Sequence, residues 1–135
     1  MTYGASTART LTVKDGVTVE KGELLLLQSD GEVDLTAVTE LAHFVAIDES
    51  SRDVDGVFDA ADATVTGMPI GGVCFVAATA AEAWVPAQLL YVGANGLATK
   101  TAGSNKKLGV FLGTANVTTV AGDVYAVNTA GADQA

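Results

Sequence analysis

The apolar residues of this chain come in short runs, and Gly, Asp or Asn ends almost every one. Thr10–Val13 stops at Lys14-Asp15-Gly16, Val17–Val19 at Lys21-Gly22, and Leu24–Leu27 at Ser29-Asp30-Gly31. Runs of this length are too short for packed helices and suit strands. The same signal recurs at His43–Ile47, Val54–Phe58, Gly72–Ala77, Gln88–Val92, Leu97–Lys100, Leu108–Leu112 and Asp123–Val127. Asp30-Gly31 and Asn95-Gly96 are hairpin-turn dipeptides, because both positions accept positive φ at little cost. With 18 Val and 16 Thr among 135 residues, composition favours the pleated sheet. The expectation is all-β: a small barrel or sandwich of short antiparallel strands, with one helical turn or two at most, around Thr79–Ala83. Residues 1–9 read as a flexible N-terminal arm and residues 10–135 as a single β domain.

The runs also hint at two related β-units. Leu24-Leu25 followed by Gly31 matches Leu89-Leu90 followed by Gly96, 65 residues later. Leu41–Ala46 resembles Leu108–Gly113 at a spacing of 67, and Gly72–Val76 resembles Asp123–Val127. On this alignment an acid-rich insertion, about 48–66, lengthens the first unit. The other reading is chance likeness between short apolar strands.

Charge is uneven. The net charge is −9, and residues 30–62 hold ten acids against the single Arg52. A solvated acidic face accounts for this, and a cation site or a contact with a basic partner is the alternative. Seven Lys+Arg against 16 Asp+Glu leave no basic footprint to neutralise phosphates, so no direct nucleic-acid partner is expected. The longest uncharged stretch, Ala63–Ala81, contains Gly, Pro and Thr and reads as a pair of strands rather than a membrane span. Met1–Thr10 lacks the apolar core of a secretory signal.

Catalytic constellations are scarce. His43 is the only histidine, and no Gly-x-Ser-x-Gly elbow supports pairing it with Ser50 or Ser51. Cys74, inside Val73-Cys74-Phe75-Val76, reads as an inert core thiol. Gly103–Lys107 lacks the Gly-Lys-Ser/Thr step of a phosphate loop. Asp53-x-Asp55-Gly56 resembles the start of a calcium loop but lacks its later Glu, leaving Asp53 and Asp55 as weak metal candidates. Asn116-Val117-Thr118 is a glycosylation sequon. Trp84, Tyr91 and Tyr125 would serve either as core plugs or as a sugar platform. The chain reads as a non-enzyme without a cofactor.

From about Ala8 onward the chain resembles the capsid cement (decoration) proteins of tailed viruses, bacteriophage or haloarchaeal. The resemblance rests on Gly22–Leu25, Val45–Ile47, Gly56–Phe58, Val85–Tyr91, Gly96–Thr99, Lys107–Val110 and Ala121–Tyr125. It implies a protein of the outer capsid surface that ties neighbouring major capsid protein subunits together, commonly as a homotrimer at three-fold and quasi-three-fold positions. It also implies that Thr2, Tyr3 and Arg9, in the arm, contact the capsid. A receptor- or carbohydrate-binding surface module of a virion is the alternative, and it requires exposed aromatics on a concave face.

Overall fold

A computed structural model describes residues 8–50 and 63–130. Twelve strands form in chain order. They are β1 (Arg9–Val13), β2 (Leu24–Leu27), β3 (Glu32–Leu35), β4 (Phe44–Ala46), β5 (Thr64–Pro69), β6 (Val73–Ala77), β7 (Ala83–Trp84), β8 (Leu89–Val92), β9 (Ala98–Thr99), β10 (Lys107–Phe111), β11 (Val117–Thr118) and β12 (Val124–Asn128). The all-β expectation holds. The uncharged stretch from Ala63 supplies β5 and β6, the pair of strands it was read as. No helix among the described residues is long and apolar enough to cross a membrane.

Three expectations change. Thr79–Ala83 is not helical: the Glu82 amide donates to the Thr119 hydroxyl, the Thr119 amide donates to the Glu82 carbonyl, and Ala83-Trp84 pairs with β11. The one helical turn among the described residues is a 3₁₀ turn at Ala94–Gly96, where Asn95 sits at φ 58° and Gly96 at φ 73°. Val17–Val19 is not a strand, although Val19 is buried and bonded to Ser50. Arg9, assigned to the arm, is the first residue of β1 and pairs with Gly67. The arm's first seven residues and the strand expected at Val54–Phe58 lie outside the described residues.

The first five strands close into a barrel in the order β1-β3-β2-β4-β5, and β5 returns to pair with β1. Every ladder in it is antiparallel except β1 with β3, which is parallel through Thr12/Glu32 and Val13/Val33. Five of the remaining strands retrace that circuit, while β7 and β11 pair as a separate two-stranded sheet. The second sheet runs β6-β12-β10-β8-β9, and a parallel bridge between Ala78 and Ala98 stands where the β1–β3 ladder stands in the first. Backbone bonds fix the correspondence. Gly22 and Ala87 donate to Ala46 and Phe111, and those residues donate to Glu23 and Gln88, so each pair is 65 apart. Ile47 donates to Thr66 where Leu112 donates to Ala126, which moves the spacing to 60 beyond the loop after β4.

The chain is therefore a structural repeat, with two corrections to the sequence alignment. Ala46 corresponds to Phe111, so the spacing stays at 65 instead of widening to 67. The counterpart of β12 is β5 and that of β6 is β1. The first unit is longer by only five residues, the difference between the two spacings, and Thr64–Thr66, counted with the insertion, belong to β5.

Two cores follow. One gathers Leu11, Val13, Val19, Leu25, Val33, Phe44, Ala46, Ala63 and Val65 inside the first barrel. The other lies inside the second sheet, around Cys74, Val76, Trp84, Leu90, Val92, Leu108, Phe111 and Val127, and it also takes Leu24 and Val45 from the first unit. Strand β2 thus buries both faces, Leu25 inward and Leu24 outward. That is why Leu24-Leu25 is apolar on both sides of the pleat, whereas Leu27 at the far end of the run is exposed. Burying Leu24 and Val45 contributes on the order of 3–6 kcal/mol, a large fraction of a domain's typical net stability. The units are further tied by the Ala77 amide on the Gly22 carbonyl (2.7 Å) and the Gly96 amide on the Thr36 carbonyl (2.9 Å).

Candidate interaction surface

Alternation along the second sheet points Cys74, Val76, Leu90, Val92, Phe111 and Val127 into the core. The intervening residues point out. Register lines them up across four strands. Val73 lies beside Asn128, Asn128 beside Val110, and Val110 beside Leu89. In the next row Phe75 lies beside Ala126, which accepts the Leu112 amide. Val73 and Phe75 are 63% and 61% exposed, and Leu89 and Leu112 are exposed as well. Soluble proteins seldom leave so much contiguous apolar sheet in water.

Strand β6 pairs with β12 on one side only. Along its other side runs a groove of about 420 Å³ between the units, walled by Val45–Ile47 and Met68 on one flank and by Val73–Phe75 and Val124 on the other, with Lys21 at its rim. Its two walls differ in origin, the outer face of the first barrel and the edge of the second sheet.

Each chemistry-bearing residue has a defined partner. His43 is exposed, and its Nδ1 accepts the Leu27 amide at 2.9 Å. Ser50 is buried, and its hydroxyl accepts the Val19 amide at 3.1 Å. Cys74 is buried 3.6 Å from the Thr129 hydroxyl, as expected of a core thiol. Trp84 is fully buried in edge-to-face contact with Phe111 and Tyr125. The core-plug reading therefore holds for Trp84 and Tyr125, and a sugar platform with Tyr91 does not form. The Trp84 indole donates to Glu82 at 2.9 Å, and the Thr99 hydroxyl and the Lys100 amide donate to the same carboxylate. Burial pushes the Glu82 pKa up, but these three donors and the Lys100 charge outweigh it and hold the group below its ordinary value. Glu23 goes the other way. Burial raises it, the Glu20 amide opposes, and the Glu20 charge adds to the rise.

Of the capsid-contact candidates, Arg9 is exposed, with its guanidinium 5.9 Å from the centre of the Phe44 ring, a cation–π distance. Thr2 and Tyr3, and the metal candidates Asp53 and Asp55, lie outside the described residues. Among the described residues no three His, Cys, Asp or Glu side chains gather as a metal site. Gly103-Ser104 is a turn between β9 and β10, Lys107 opens β10, and Val117-Thr118 of the sequon is β11.

Sequence reasoning missed the exposed face because Val73-Cys74-Phe75-Val76 is apolar on both sides of the pleat. The signal that finds it is the neighbouring Asn128, a polar residue at an outward position.

No known family matches the chain, and no curated protein matches it in sequence. Its fold has a solved counterpart. The N base of head fiber gp8.5 of bacteriophage phi29 superposes with a TM-score of 0.64 at 17% identity, over 96% of this chain and 99% of that one.

Proposed function

We propose that the protein is a structural component of a tailed-virus particle, held on the outer surface of the mature icosahedral head. There it acts by binding rather than catalysis and stabilises the major capsid protein lattice as a homotrimer at three-fold and quasi-three-fold positions. The observation that carries this reading is the fold shared end to end with the N base of a phage head fiber. The architecture suits a static load-bearing role. Two cores are locked by shared Leu24 and Val45, and an exposed apolar face stands ready for a partner. Weak contacts made by each copy sum strongly when several engage a lattice together. A sugar-binding module is disfavoured by the burial of Trp84.

Co-sedimentation with purified heads lacking the protein tests the reading, followed by cryo-microscopy of the decorated particles. Saturable binding with density on the outer surface is expected. Heads that emerge bare at saturating protein would overturn it. Within this reading Thr2, Tyr3 and Arg9 contact the capsid, so removing residues 2–8 and replacing Arg9 with Ala should weaken retention. On the reading that these acids serve solubility rather than attachment, converting Asp53, Asp55, Asp59 and Asp62 to Asn should leave retention unchanged.

A further inference from the structure

We infer that the outer face of the second sheet, centred on Val73, Phe75, Leu112 and Leu89, is buried against a second copy of this chain. The inference sharpens the self-association named above. It concerns the free protein, however, and stands or falls separately from attachment to heads.

The repeat supplies the first argument. At equivalent positions, 65 residues apart, Leu24 and Val45 of the first unit are 0% and 1% exposed because the second unit covers them. Their counterparts Leu89 and Val110 lie on the same face of the same circuit but are not sealed, Leu89 being 46% exposed and Val110 half-buried. The chain thus already buries this kind of face once. At the groove the two meet, since Val45 and Met68 from the covered face stand opposite Val73 and Phe75. The bare face is continuous with an interface the fold has made.

Charge supplies the second argument and points to a like partner. Each copy carries −9, concentrated in residues 30–62. Copies approaching through that segment repel within a Debye length of about 8 Å. Among the described residues the face holds no carboxylate. Its polar residues are Asn128 and Lys107, which pair with Val110 and Tyr91. It is the surface on which two acidic molecules meet at least electrostatic cost. Size then sets the strength. Four strands spaced about 4.8 Å apart cover a strip roughly 15 Å across. Five-residue strands at about 3.4 Å per residue make it roughly 17 Å long, on the order of 250 Å². That is well under the ~800 Å² per partner of a standard interface, so association should be reversible and concentration-dependent.

Sedimentation velocity of the full chain over a wide concentration range tests this, with Phe75→Asp and Leu89→Lys on the face and Val120→Asp as an exposed control off it. The wild type and Val120→Asp should associate reversibly. Each face variant should weaken association roughly tenfold or more, as loss of an interface anchor does. Circular dichroism should be unchanged, since both side chains are already in water. A wild type that stays monomeric throughout overturns the inference and assigns the face to another partner. Association that persists unchanged in both face variants overturns it too. Head binding by a monomeric wild type would leave the proposed attachment standing while this inference fails.

Discussion

The two units are one circuit of five strands in different surroundings. In the first, a parallel ladder between β1 and β3 closes the barrel, and the outside of β2 and β4 is dry. In the second, closure reduces to one bridge between Ala78 and Ala98, the interior is completed by Leu24 and Val45 from the first unit, and the outside of β8 and β10 is wet. Topology alone does not determine which face of a strand is core. The neighbour decides, and the same position is structural in one unit and free for a partner in the other.

The sharpest way to break this comparison is at Gly22 and Ala87, the equivalent turns before β2 and β8. Gly22 has φ 89°, and a Cβ there would sit 2.9 Å from the Ala77 backbone nitrogen and against Val124. Gly22→Ala should cost about 3 kcal/mol from overpacking plus left-handed strain. Ala87 already holds φ 67°. Ala87→Gly should shift stability by no more than about 1 kcal/mol in either direction, relief of strain offsetting gained chain entropy. Urea unfolding of both variants gives the contrast, and equal losses would mean that the second unit does not press on the first.

Much of this architecture was legible, and the failures have causes. Leu24–Leu27 and the two hairpin turns were readable because their signals are local. Strand β3 was missed because Glu32 and Asp34 alternate with Val33 and Leu35, and acids on the wet side of a strand read as a charged loop. The spacing error came from matching Phe44 with Phe111 by side chain, whereas backbone bonds match Phe111 with Ala46. The parallel closures and the covering of Leu24 are long-range and leave no mark on local pattern. The exposed face stayed hidden for a related reason: a run apolar on both sides does not say which side faces water.

The next effect is electrostatic and belongs to the second unit. Glu82 joins the β7–β11 pair to β9 through Trp84 and Thr99, and the matching contact of the first unit, Val19 with Ser50, has no carboxylate. Glu82→Gln should cost about 1 kcal/mol at neutral pH, screened because the site is partly exposed. Because the folded pKa of Glu82 lies below its ordinary 4.5, its stabilisation is present above that value and is lost as pH falls through the folded pKa. Glu23, raised, contributes in the opposite sense: its effect is present below 4.5 and lost as pH rises through its folded pKa. Thermal midpoints followed down to about pH 3 should fall less steeply for Glu82→Gln than for the wild type, and more steeply for Glu23→Gln. Parallel curves for all three would remove both carboxylates from the explanation.

The smallest expected effect lies at the junction. Thr36 is fully buried, and its hydroxyl finds no partner among the described residues. Thr36→Val should be neutral or stabilise by up to about 1 kcal/mol, because an unsatisfied polar group is removed without loss of shape. The equivalent Thr101 is exposed, and Thr101→Val should stay within about 0.5 kcal/mol of the wild type. A loss at Thr36 measured by denaturant unfolding would reveal a hydrogen bond at that hydroxyl.

The repeat with one covered and one bare face is tested most directly by a single pair of truncations, Leu24→Ala and Leu89→Ala, unfolded by urea at a protein concentration low enough for the free chain. Leu24 is 0% and Leu89 46% exposed at equivalent positions. Leu24→Ala should lose about 2–5 kcal/mol and Leu89→Ala no more than about 0.5 kcal/mol. Losses of equal size would contradict the assignment of the first face to the core and the second to a partner.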